Sequence, residues 1–406
     1  MHAYTNRAMN GNTPRRIALV VPDLVDSAGV PAAAWFLYNV IQASGRYEAD
    51  FISLSTSSRD EASVRVLAPA SWRRGVKVET GVWRGVGYRH VGAVGGEFEF
   101  QRYMPRRQLT EILNAYDIVQ VVSGAPAWAL VTRDVAPPVV LQVATLVKVE
   151  RTRLLREGRG PRAMWARAMT AITARLESTA LRHLDIAVVI NSWMLAELSA
   201  RMGEARVRYA PPGVDTEMFH PSAAPSAGYI LSVGRFSDPR KNARLLFHAY
   251  ARLRRDHPSA PPLILAGRNM PTAADWAVAV ELGIEEHVER RPDVSLAELA
   301  ELYRSAGQFV SSSDEEGLGI AILEAMASGV PVVSTRSGGP DDFVADGQTG
   351  FLVPVGDEAA LAARMGDLLA DPRRAREMGT RGREVVMERY SLQVTGDAFL
   401  RIYDSL

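Results

Sequence analysis

Short apolar runs alternate with amphipathic stretches along most of the chain. Ile17–Val21, Phe51–Leu54, Ile118–Val122, Val139–Val143 and Ile186–Ile190 fall in the first half, and Tyr229–Val233, Leu263–Ala266, Gln308–Val310 and Val330–Ser334 in the second. Runs of this length rich in Val and Ile, separated by helical periodicity, indicate parallel strands buried on both faces. The expected fold is α/β, with two successive doubly wound, Rossmann-like domains. The segment from His220 to Gly228 carries two prolines and few large apolar residues between the two strand series, so residues 220–228 read as the linker. Residues 14–219 and 229–390 are then the two domains, and the polar residues 1–13 a disordered lead-in.

Doubly wound sheets bind ligands beyond the carboxyl ends of their strands, so two facing domains would place function in a cleft lined by those loops. The loop after Ile17–Val21 lacks the G-x-G-x-x-G of a dinucleotide site, which disfavours a dehydrogenase.

The composition narrows the chemistry. A chain of 406 residues with 47% hydrophobic and 23% charged residues is an ordinary globular protein of about two domains. Its net charge of +1 offers no general attraction to nucleic acid, so no nucleic-acid partner is expected. The absence of cysteine excludes disulfides, Cys-ligated zinc and thiol nucleophiles together. Lysine occurs only at Lys77, Lys148 and Lys241, so a lone lysine in a loop carries information. No run is long and apolar enough for a spanning helix, and residues 1–13 lack the pattern of a secretory signal; the cytoplasm is the expected location.

The densest signal runs from Ser311 to Asp357. After the strand ending at Val310, Gly317-Leu318-Gly319 opens an apolar helix ending near Gly329. A glycine-flanked helix N-terminus after a strand offers backbone N–H groups and a positive dipole end to phosphate or sugar oxygens. Glu316 stands at that entrance, where a helix-capping carboxylate is the plain alternative. Glu324 lies among Ala321, Ile322, Leu323, Ala325, Met326 and Ala327, where a charge is costly without a ligand or partner. With both in one helix, roughly 12 Å of axial rise separates them. That suits two ends of one long ligand better than an acid–base pair. A second signal, Ser232-Val-Gly234-Arg235-Phe-Ser-Asp-Pro-Arg240-Lys241-Asn242, follows another strand. An arginine fork and a lysine point charge in one strand-to-helix loop can neutralise a diphosphate, while Arg240 reads as a solvated cap.

Taken together, Glu316-x7-Glu324 with its Gly-Leu-Gly and Leu-Glu-Ala-Met context, Gly234-Arg235 with Lys241, Pro212-Gly-Val-Asp215 and Gly338-Gly339 resemble the family 4 retaining glycosyltransferases of the GT-B fold. The likeness is strong over residues 186–390 and only topological over 14–185. It implies a nucleotide-sugar donor, UDP- or GDP-linked, in the C-terminal domain. Arg235 and Lys241 would lie on the diphosphate, Glu324 on the ribose hydroxyls and Glu316 on the transferred sugar. Gly234, Gly317, Leu318 and Gly319 would complete the donor loops. It also implies an acceptor site in the N-terminal domain and a final helix, within residues 391–406, that crosses back to that domain.

The resemblance further implies same-face attack by the acceptor hydroxyl, with the departing phosphate taking its proton and no cofactor. The chain has no Asp-x-Asp and no His/Asp cluster with ligand spacing, so a metal-free reaction is expected. Two departures stand out. The position where many members carry a donor-sugar histidine is Ala144, followed by Thr145, which suggests a sugar altered at or lacking its sixth carbon. The glycine-rich loop after the first strand retains only Gly29.

In the acceptor half, His90 and the stretch Gly92–Tyr103, with Glu97, mix glycine, aromatics and carboxylates as carbohydrate sites do. Between Lys148 and Arg182 nine basic residues face three glutamates, a patch suited to an anionic lipid surface or an acceptor phosphate, or simply a solvated helix in an arginine-biased chain. The reading is therefore a transferase acting on a carbohydrate, lipid-linked or small-molecule hydroxyl, with a solvated helix the favoured reading of 148–182 and peripheral membrane contact its alternative. The alternatives are a nucleotide-sugar epimerase and a catalytically weak nucleotide-sugar-binding protein.

Overall fold

The computed structural model describes residues 14–24, 29–152, 155, 158–222 and 228–406, so the lead-in 1–13 lies outside the described residues. Two compact units emerge, one comprising residues up to Pro212 together with Gly396–Leu406, the other Gly213–Thr395.

The N-terminal unit holds an eight-stranded sheet. Its strands are β1 (Arg15–Pro22), β2 (Tyr47–Leu54), β3 (Val78–Trp83), β4 (Val86–Val91), β5 (Ile118–Ser123), β6 (Val139–Val143), β7 (Ile186–Val189) and β8 (Val207–Tyr209), in the order β3-β4-β2-β1-β5-β6-β7-β8. Every pairing is parallel except β3 with β4. Along β1, Ile17, Leu19 and Val21 pack into one apolar cluster and Ala18 and Val20 into another, the two-residue alternation of a strand covered on both faces. Phe399 and Tyr403 of the helix Leu392–Asp404 belong to the first of these clusters, and Tyr403 donates its hydroxyl to Gln120 Oε1 at 2.9 Å.

The C-terminal unit has six parallel strands: β9 (Ile230–Val233), β10 (Leu263–Gly267), β11 (Val288–Pro292), β12 (Gln308–Ser311), β13 (Val332–Thr335) and β14 (Gly350–Val353), in the order β11-β10-β9-β12-β13-β14. From β9 the chain builds outward to β11, then returns to β12 on the other side of β9. The carboxyl ends of β9 and β12 therefore flank the point where the strand order reverses, the crevice in which such sheets bind ligands.

The division between units falls after Pro212, ahead of the expected linker at 220–228, of which residues 223–227 lie outside the described residues. The reason is local. Val214 exchanges backbone hydrogen bonds with Tyr390 and Leu392, Asp215 Oδ1 accepts from the amides of Glu217 and Met218, and Phe219 packs edge-on to Tyr303. These contacts fasten residues 213–219 to the second unit.

Candidate active site

Two loops meet at the reversal point of the second sheet. The loop after β9 runs through Gly234 and Arg235 to a 3-10 turn, Pro239–Lys241, and then to Asn242, whose left-handed backbone (φ 44°) caps the helix Ala243–Asp256. Asparagine tolerates that conformation, and its Oδ1 accepts from Leu245 N at 3.2 Å. The loop after β12 is stitched to it. Asp314 Oδ1 accepts from Asn242 Nδ2 at 2.8 Å, Asp314 N donates to Arg240 O at 2.7 Å, and Ser312 Oγ donates to Lys241 O at 2.9 Å. The result is an ion pair between Lys241 Nζ and Glu316 Oε1 at 2.5 Å, with Ser313 Oγ donating to the same oxygen at 2.6 Å. Both side chains are largely shielded, 21% and 13% exposed, so their attraction is little screened.

Glu316 is thus not a helix cap, and the 12 Å axial spacing from Glu324 does not apply. The helix spans only Ile320–Ala327, and its cap is Gly319 in the left-handed region (φ 86°), with no side chain closing the N-terminus. Glu316 instead bridges to Gly338 and accepts from Gly339 N through its carbonyl at 2.8 Å. A Cβ on Gly339 would lie 2.3 Å from Leu318 O, so the Gly338-Gly339 turn can approach the Gly317–Gly319 segment only because it lacks one.

Arg235 is 42% exposed and makes one long contact, 3.4 Å, to Asp238 Oδ2. Arg240 is not a solvated cap: it grips Asp238 at 2.8 Å and reaches Glu315 at 3.4 Å. Burial pushes the Asp238 carboxyl up, but bonds from the Arg240 side chain and amide outweigh it and hold the group below its ordinary value. Asp238 is thereby kept as a fixed anion that orients both arginines.

Glu324 is the fifth residue of its helix. Its Oε2 accepts the hydroxyl of Tyr303 at 2.9 Å, and its Oε1 has no partner among the described residues. Burial raises the carboxyl to about 7, only partly offset by that hydroxyl. Tyr303 is fully buried between Phe219 and Phe309. Neither Tyr303 nor Ser313 stands out in the sequence. For Ser313 the available signal was the serine run after β12; for Tyr303 there was none, because the contact joins two separate helices.

The candidates in the N-terminal unit come from separate elements. Gly29 is the first residue of the helix Gly29–Ser44, with no positive φ and open space where a Cβ would stand, so no local geometry requires glycine there; the loop residues 25–28 before it lie outside the described residues. His90, on β4, has both ring nitrogens engaged, with Ser53 Oγ at 3.0 Å and Asp60 Oδ1 at 3.1 Å. Burial opposes ionisation of Asp60, yet bonds from His90 and Ser63 bring its carboxyl down to about 2. His90 therefore fastens the 55–64 loop and has no nitrogen left for an acceptor. Ala144 and Thr145 follow β6, and Thr145 N donates to Gly124 O at 3.0 Å. Glu97 borders a cavity, with Oε1 accepting from Leu67 N at 3.3 Å and Oε2 without a side-chain partner. Among the described residues no group of three or more His, Asp or Glu is placed to hold a metal ion, and no helix is long and apolar enough to cross a membrane.

Comparison with known proteins places this geometry. Residues 227–371 match the family described as Glycosyl transferases group 1. A GDP-mannose-dependent α-(1-6)-phosphatidylinositol monomannoside mannosyltransferase of Mycolicibacterium smegmatis is 33% identical over 241 residues, covering 54% of this chain and 63% of that protein. The matches span about half the length of other curated relatives. Among solved structures, sucrose-phosphate synthase from Thermosynechococcus elongatus superposes with a TM-score of 0.71 at 22% identity, covering 96% of this chain and 98% of that one. Anabaena HepE, solved with UDP and glucose, gives 0.69 at 14% identity, covering 97% and 100%. Residues 227–371 thus match a glycosyltransferase group 1 domain built around the reversal point of the second sheet, and the chain has the GT-B fold of two parallel-dominated α/β sheets.

Proposed function

We propose that the protein is a retaining glycosyltransferase that moves a sugar from a UDP- or GDP-linked donor to a hydroxyl of a carbohydrate, lipid-linked or small-molecule acceptor, without a metal ion or other cofactor. The observation that carries this reading is the convergence of Lys241, Glu316 and the uncapped N-terminus at Gly319–Ile320 on the reversal point between β9 and β12.

As the bond to the anomeric carbon breaks, positive charge grows on the sugar and negative charge on the diphosphate. Arg235, Lys241 and the helix N-terminus stabilise that leaving group through charges already in place. Glu316 holds Lys241 in position before the donor arrives and offers its carboxylate to sugar hydroxyls; the free oxygen of Glu324 accepts from the ribose. The acceptor hydroxyl attacks on the face that the diphosphate leaves, and a departing phosphate oxygen takes its proton, so no separate base is required. Basic residues of the helix Pro161–His183, among them Arg167, Arg175 and Arg182, supply an attraction to anionic lipid where the acceptor is lipid-linked.

The decisive experiment is calorimetry with UDP, GDP and their sugars, combined with slow donor hydrolysis followed by proton NMR, which reads the anomeric configuration before the free sugar mutarotates. Saturable binding of one nucleoside diphosphate and release of free α-configured sugar, both unaffected by EDTA, are expected. Release of a β-configured sugar from an α-linked donor would overturn retention, and loss of turnover in EDTA with rescue by magnesium would overturn the metal-free route.

A further inference from the structure

We propose, building on the transferase reading, that a cavity of about 490 Å³ in the N-terminal unit holds the acceptor, and that the part it holds is an uncharged sugar ring rather than a phosphate. Its position suits a ligand. Gly124 and Ala125, on its wall, directly follow β5, and β5 lies beside β1, where the strand order of the first sheet reverses.

The walls combine two tryptophans with carboxylates. Trp128 meets Tyr103 edge-on at 4.8 Å, which fixes its ring, and Trp165 is 58% exposed, leaving an apolar face available for the C–H face of a pyranose. Three carboxylates border the same space, and each has acceptor capacity to spare. Glu97 Oε2 has no side-chain partner, while its Oε1 accepts from Leu67 N at 3.3 Å. Glu99 Oε1 accepts from Tyr103 OH at 2.8 Å and Arg151 Nη2 at 2.5 Å, while its Oε2 has no partner among the described residues. The Glu150 carboxylate has none either.

Charge decides between a ring hydroxyl and a phosphate. Among the described lining residues, Glu97, Glu99 and Glu150 outnumber Arg102 and Arg151; Arg151 is paired with Glu99, and Arg102 gives its Nε to Gly96 O at 2.8 Å. A phosphate dianion would face unpaired carboxylates, whereas ring hydroxyls donate to them. A pocket of this size, part aromatic and part hydrogen-bonding, fits one or two sugar rings.

The test uses the full chain without donor. Methyl α-mannopyranoside, methyl α-glucopyranoside, glucose 6-phosphate and inorganic phosphate are titrated with tryptophan fluorescence and saturation-transfer NMR as readouts. Saturable binding of a methyl glycoside is expected, tighter than either phosphate compound. Trp165→Ala and Glu97→Gln should each weaken it about fivefold or more, while nucleoside diphosphate affinity stays unchanged. Tighter binding of a phosphate compound, absence of glycoside binding at the highest soluble concentration, or indifference to both substitutions would overturn the proposal. If the glycoside binds as described but no nucleoside diphosphate does, the cavity assignment stands and the transferase reading falls.

Discussion

The hydroxyl of Tyr303 donates to Oε2 of Glu324 at 2.9 Å, joining the helices Leu296–Ser305 and Ile320–Ala327 through a buried aromatic ring. The bond occupies one carboxylate oxygen and leaves the other for a ligand.

A pH dependence follows from the raised carboxyl. For an acid whose pKa rises from 4.5 to about 7 on folding, the native state holds the proton more tightly, so its contribution is most favourable below 4.5 and is lost as pH climbs to about 7. Glu324→Gln, which mimics the protonated form, should gain melting temperature relative to the parent across that window and stay level above it. Nucleotide affinity should move oppositely, rising in the parent as Glu324 ionises and remaining weak and flat in the variant. Parallel pH profiles for the two proteins would show that Glu324 does not titrate there.

Removing the Tyr303 hydroxyl tests the positioning role separately. Tyr303→Phe keeps the packing against Phe219 and Phe309 but leaves Oε2 without a donor. A loss of about 1–3 kcal/mol in stability is expected from chemical denaturation, with weaker nucleoside binding alongside it.

In the loop after β9, Arg235→Ala and Lys241→Ala should each weaken nucleoside diphosphate binding by about 1.5–3 kcal/mol and leave the nucleoside alone almost unaffected. Calorimetry with both ligands separates the terms; equal losses would place these cations elsewhere than on the diphosphate.

Gly339→Ala should damage the site without removing a functional group. Its Cβ would stand 2.3 Å from Leu318 O, forcing the glycine turn away from the donor loop, whereas Gly307→Ala would meet nothing nearer than 3.6 Å. Destabilisation of about 1–3 kcal/mol and lower diphosphate affinity are expected for the first alone, measured by melting and calorimetry.

In the N-terminal unit, Tyr403→Phe leaves Gln120 Oε1 without its donor in a fully buried position. About 1–3 kcal/mol of stability should be lost in urea, and Gln120→Met in the same chain should recover part of it, because two apolar partners leave no orphaned group.

The apolar runs identified nine of the strands because interior parallel strands are buried on both faces and so read as unbroken Val/Ile stretches. The strands they missed are β3, β8, β11 and β14, which are the edges of the two sheets, and β4 beside β3. β11 has one buried residue in five and β3 one in six, and charged and polar positions on these two edges erase the signal, whereas β14 is buried at all four residues and is missed as a short run opened by glycine. The placement of Gly234, Arg235, Lys241 and Glu316 in loops that follow strands was likewise legible, since each comes within a few residues of a Val-rich run. What sequence spacing could not carry was pairing. Lys241 and Glu316 are 75 residues apart and meet because β9 and β12 are neighbours in the sheet; Tyr303 reaches Glu324 across two helices; and both nitrogens of His90 are taken by residues of other segments. Local periodicity reports which face of an element is buried, but the partner on that face is chosen by the order of strands, and only the tertiary structure decides that.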